Sequence, residues 1–104
     1  MPASTLLGAA AEDPDGFRLL FHHAAREPEF RQQMDRFQRG MVATARRELV
    51  KLIPDRVWTQ WAARLAPVVA IEAVMAWLDA GQPDPDQAAD RIRQALAGVI
   101  SAAQ

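Results

Sequence analysis

The chain has 104 residues, half of them apolar and 24% charged, with 12 basic and 13 acidic side chains and a formal charge of -1. This describes one globular domain with a thin core, not a disordered segment. Near-neutral charge argues against a nucleic-acid surface within this segment, and the absence of cysteine excludes disulfides and thiolate chemistry.

Tyrosine is absent, alanine and leucine are common, and no alternating run bounded by turns occurs, so helices are expected almost throughout. Residues 6–11 read as a short helix with Ser4 or Thr5 as its cap. Asp13-Pro14-Asp15 then supplies a cap, a proline at the first helical position and an acid where the helix dipole favours one. The helix it opens carries Phe17, Leu20, Phe21 and Ala24 on one face and ends near Arg26, before Pro28.

Pro28-Glu29 starts a longer helix that runs to about Ile53. Phe30, Met34, Phe37, Met41, Ala45, Leu49 and Leu52 follow its 3-4 spacing, with Val42 beside them. Asp35 and Arg39 are an expected i,i+4 pair, and Gly40 interrupts the interior.

Pro54-Asp55 breaks that helix and opens the next, over 55–79. Between Leu65 and Leu78 its only charge is Glu72, and apolar side chains occupy nearly every angle around it. A helix apolar on all sides must be covered on all sides. In so short a chain this points to a second copy. Pro67 inside it predicts a kink, or two helices meeting near Ala66. Ala80-Gly81 stops it. Asp84-Pro85-Asp86-Gln87 then caps a last helix with Ala88, Ile92, Ala95, Val99 and Ala103 in one line, flanked by Ala89, Leu96 and Ile100. The fold class is all-α: an antiparallel bundle of four to five helices in one domain over 1–104. No run of 18 apolar residues lacks a charge or proline, and residues 1–16 have no basic stretch before their apolar ones. Neither a membrane span nor a signal peptide is therefore expected, and the cytoplasm is the default.

His22 and His23 point about 100 degrees apart on a helix and are not expected to share a metal. Glu72 among valines has three readings: an arginine across a dimer interface, the lining of a cavity, or solvent beside Pro67. Trp58 and Trp61 share a face and, with Met34, Phe37 and Met41, suit either an adaptable pocket or an ordinary core. Trp77 reads as a packing anchor. No serine or threonine has a neighbouring base, and the glycines are isolated, so no enzyme, metal or cofactor is expected.

Ala76-Trp77-Leu78-Asp79-Ala80-Gly81, followed by Pro83-Asp84-Pro85-Asp86-Gln87-Ala88-Ala89, resembles the end of the penultimate helix and the opening of the last in the C-terminal regulatory domain of TetR-type transcriptional regulators. The segments 13–21 and 26–30 resemble that domain's first core helices. The resemblance implies a homodimer through the last two long helices, here Val68, Ile71, Met75, Leu78, Ala88, Ile92, Ala95, Leu96 and Val99. It implies a pocket for a small apolar or aromatic effector at Phe21, Met34, Phe37, Met41, Trp58 and Trp61, with Glu72 added as a pocket candidate. Glu72 and Pro67 become coupling points. The family's N-terminal helix-turn-helix is not present in this sequence. The expectation is thus a fragment of a longer repressor that would meet DNA only through that missing domain, or else a domain acting without DNA. The alternative function is a helical dimerisation or protein-interaction module without a ligand.

Overall fold

The computed structural model describes the backbone of residues 3–23 and 27–104, and their side chains except at 3–4, 22–23 and 30. Among these residues there are five α-helices, one π-helical turn and no strand: the chain is an all-α bundle. Helix α1 spans Ala3–Glu12, α2 Pro14–Arg18, α3 Pro28–Leu49, α4 Arg56–Asp79 and α5 Pro85–Ala103, and the π turn Leu19–His23 continues α2.

The capping signals act as their chemistry requires in three of the four long or proline-led helices. The Asp13 carboxylate accepts from the Gly16 N–H at 3.0 Å. Asp55 accepts from Val57 at 2.8 Å, and Asp84 from Asp86 and Gln87 at 3.1 and 3.3 Å. Each occupies orphan donors of a first turn. Helix α3 has no such side-chain bond from Glu27. The stop after α4 is a Schellman arrangement: Gln82 N–H donates to the Trp77 carbonyl at 3.0 Å and Gly81 N–H to that of Leu78 at 3.1 Å. Gly81 takes φ +90°, which its missing Cβ permits.

Several expectations are corrected. Helix α1 begins at Ala3, so Ser4 and Thr5 lie inside it and not at its cap. The π turn puts Leu20 in solvent while Phe21 stacks on Phe17 with ring centroids 4.7 Å apart, because a π turn holds more residues than an α turn and rotates those that follow. Ala24 and the end near Arg26 lie outside the described residues. Helix α3 ends at Leu49, and the turn after it sends Ile53 into the core and Leu52 out. The Arg39 guanidinium donates to the Asp35 backbone carbonyl, not to its carboxylate. Ala95 is exposed, since the buried line of α5 runs through Ala88, Ile92, Val99 and Ala103. Helix α4, in contrast, is a single helix through Pro67 as expected, with the proline buried, and the alternative of two helices meeting near Ala66 falls away.

The molecule is a slab of 39 × 35 × 16 Å, with α4 in the middle and α3 and α5 on its flanks. Leu49 and Ile53 meet Ala62 and Ala63 near the start of α4, as do Val99 and Ala103 from the end of α5. At the other end, Val74 and Leu78 meet Ala88 and Ile92, so both flanking helices run antiparallel to α4. Leu6, Leu7 and Ala10 of α1 cover that end together with Phe17. Thr59 is the buried polar side chain among the core residues; its hydroxyl lies 2.9 Å from the Asp55 carbonyl and 3.2 Å from that of Ile53. Trp77 is buried and its indole N–H donates to the Pro83 carbonyl, tying the end of α4 to the loop before α5. By length and composition α4 is also long and apolar enough to cross a membrane; here 44% of that apolar window is buried inside the bundle.

Candidate functional site

Two surfaces of α4 remain uncovered by its neighbours, and they differ in kind. The first is a groove of about 550 Å³ between α3 and α4, closed on one edge by Leu96 of α5. Its α3 wall is built from Phe37, Met41, Thr44 and Ala45 with Gly40 among them, and its floor from Ala66, Pro67 and Ala70 of α4. The cause is side-chain size. Gly40 and Ala45 line the groove together with two alanines and a proline ring, and groups this small leave its volume unfilled. A Cβ built on Gly40 meets nothing within 4 Å. Arg36 stands at one end of the groove, and Glu48 at the other with Lys51 3.7 Å away.

The second surface is a strip along α4. Residues 57, 61, 65, 68 and 72 repeat at four, four, three and four, which keeps them on one side of a helix. Val57, Trp61 and Val68 are exposed at 71, 39 and 53%, Leu65 is half-buried, and Arg64 and Glu72 lie among them. Trp58 packs edge-on against Trp61 with centroids 5.5 Å apart and is itself 48% exposed. Among the described residues the hollow on this side is lined by Val57, Gln60, Trp61, Arg64, Leu65 and Val68, all of α4, which makes it a face of one helix.

The expected pocket residues do not meet in one place. Phe37 and Met41 line the groove. Phe37 also borders a hollow of about 220 Å³ with Leu20, Gln33 and Met34. Phe21 lies against Phe37, centroids 6.1 Å apart. Trp58, Trp61 and Glu72 sit on the exposed strip, away from the groove lining. Glu72 is exposed rather than buried among the valines.

The expected interface residues are redistributed too. Ile71, Met75, Leu78, Ala88, Ile92 and Val99 are buried within the single chain, because α5 and α1 pack directly onto α4. Val68 and Ala95 are exposed, and Leu96 is half-buried at the groove edge. The apolar surface left open therefore centres on Val57, Trp61 and Val68. Val57, Leu65, Ala66 and Ala70 were not among the expected site residues; the signal that could have found the groove is the small residues Gly40 and Ala45 on α3 and Ala66 and Ala70 on α4.

Among the described residues no three His, Cys, Asp or Glu side chains converge as a metal site. His22 and His23 side chains lie outside the description. Arg18 joins α2 to the end of α4 through Asp79 at 3.1 Å, a surface contact that positions the first helices rather than a reactive group. No family model, curated protein or solved structure matches this chain.

Proposed function

We propose that this chain is the effector-sensing and homodimerisation domain of a TetR-type transcriptional regulator. The observation that carries this reading is the placement of two uncovered surfaces on one helix: α4 floors a groove of about 550 Å³ and, on another side, presents Val57, Trp61 and Val68 to solvent. The groove falls in the range of about 300–1,000 Å³ usual for small-ligand sites. An exposed apolar strip on a central helix is the kind of surface that a second copy covers.

In this reading a small apolar effector fills the space beside Pro67 and changes how α3 and α5 sit against α4. A dimer mate bound to the strip senses the same helix. The effector then favours one spacing of the two subunits by binding it better. DNA contact belongs to a helix-turn-helix domain beyond this sequence. The openness of the groove favours a second reading, a dimerisation module without a ligand, since small-molecule sites usually bury most of their occupant.

Light scattering at micromolar and submicromolar concentration, followed by a thermal-shift panel of small organic compounds, tests both halves. A dimer that Val68→Asp converts to a folded monomer supports the strip. Compounds that raise the melting temperature of the native chain but not of Gly40→Leu, whose side chain would enter the groove, support sensing. A dimer with no stabilising compound leaves the second reading standing. A stable monomer rejects the dimer half of both readings.

A further inference from the structure

The flat shape of the molecule leaves it with more surface than a compact monomer has. The chain exposes 7059 Å², whereas a compact monomer of this size exposes about 5,800 Å². The excess, about 1,200 Å², is larger than the roughly 800 Å² that each partner gives to a standard stable interface. A slab only 16 Å thick does not cover its central helix all round, and the strip is a side of α4 left open.

Two rows of side chains make up this side. Gln60, Arg64, Val68, Glu72 and Ala76 repeat every four residues and are all exposed. Val57, Trp61, Leu65 and Val69 form the next row, exposed at its start and half-buried at its end. Rows spaced by four lean about 26° from a helix axis, and two helices that align such rows cross at about 50°. In the first row Arg64 and Glu72 stand four residues to either side of Val68, with opposite charge. A parallel pairing in register would set Arg64 on the partner's Arg64 and Glu72 on the partner's Glu72, like charge on like. An antiparallel pairing with its two-fold axis at Val68 turns the row onto itself. Arg64 then meets the partner's Glu72, and Glu72 meets the partner's Arg64. The same rotation lays Leu65 beside the partner's Leu65, and Trp61 beside the partner's Val69.

We propose that the strip binds a second copy of this chain antiparallel, with the two-fold axis at Val68, an apolar centre and two Arg64–Glu72 ion pairs between subunits. This rests on reading the strip as the homodimer interface, and it specifies the register of that interface.

Charge reversal and cross-linking of the full chain test the register. Arg64→Glu and Glu72→Arg each bring like charges together twice. By sedimentation equilibrium each is expected to raise the dimer dissociation constant about tenfold, and by less at high salt. The double variant exchanges the pair and is expected to return to within about threefold of the native value. The chain contains no cysteine, so single introduced thiols report the geometry directly. Val68→Cys is expected to give a disulfide-linked dimer on mild oxidation. Val57→Cys, about 30 Å from its mate in this register, is not. A double variant as weak as the single ones overturns the register and leaves the dimer standing. So does linkage through Val57→Cys with none through Val68→Cys. A native chain that stays monomeric at every concentration overturns the register and the dimer together.

Discussion

Helices α3 and α5 flank the same helix and hold it in different ways. Helix α5 buries Ala88, Ala89, Ile92, Val99 and Ala103, and its first turn is capped by Asp84. Helix α3 is longer, yet of its described side chains only Leu49 is buried, and Glu27 gives it no side-chain cap. The difference lies in how sizes meet. On the α5 side alanines alternate with Ile92 and Val99, so backbones approach and the larger groups fill the gaps. On the α3 side small groups gather around Gly40, Phe37 and Met41 do not fill the space beside them, and the seam stays open as a groove. One flank is a packed wall and the other an adjustable one.

The largest effect should come from placing one charge on two sides of α4. Val74 is 0% exposed and Val68 is 53% exposed. An unpaired carboxylate at Val74 costs several kcal/mol, a large part of the roughly 5–15 kcal/mol that holds a domain of this kind together. Val74→Asp should therefore abolish the cooperative thermal transition in circular dichroism, and Val68→Asp should keep it. Equal loss in both would mean that the strip is as buried as the core.

Next come truncations on the two flanks. Ile92→Ala removes a buried side chain from the tight seam and should cost about 2–4 kcal/mol. Met41→Ala removes a half-buried one beside space already empty and should cost no more than about half of that. Urea midpoints with unchanged slopes, at one protein concentration, measure both. Similar losses would show that α3 packs as tightly as α5 and would undo the comparison. A smaller step follows at the cap: Asp84→Ala leaves the Asp86 and Gln87 N–H groups without their acceptor and should lower stability by about 1 kcal/mol.

Much of this architecture is legible in the residues themselves. The Asp-Pro-Asp boxes fix where α2 and α5 begin, and Asp55 and Gly81 bound α4, because capping is decided by a few adjacent atoms. The buried line of α5 is readable apart from Ala95, since alanine carries too little bias to mark a face. What could not be read is which partner covers α4. Its wheel is apolar nearly all round, and Ile71, Met75 and Leu78 look the same whether α1 and α5 or a second copy covers them. The groove was hidden for the opposite reason. Phe37 and Met41 suggest a pocket with Trp58 and Trp61, but the void arises from missing volume at Gly40, Ala45, Ala66 and Ala70, and an absent side chain leaves no hydrophobic signal.

The smallest effect also separates a glycine that is needed from one that is not. At Gly16 an added Cβ would lie 2.1 Å from the Asp13 carboxylate that caps α2, so Gly16→Ala displaces the cap. At Gly40 the same atom enters open space in the interior of α3. Gly40→Ala should raise stability by about 0.5–1 kcal/mol, because alanine loses less backbone entropy in a helix and no neighbour is pushed. The two substitutions should move the urea midpoint in opposite directions. If Gly40→Ala destabilises instead, the groove closes in solution and the α3 seam is a packed one. If it stabilises while the larger Gly40→Leu also folds, the space beside α3 is real, and the looseness of that flank is a property of the native state that an occupant can use.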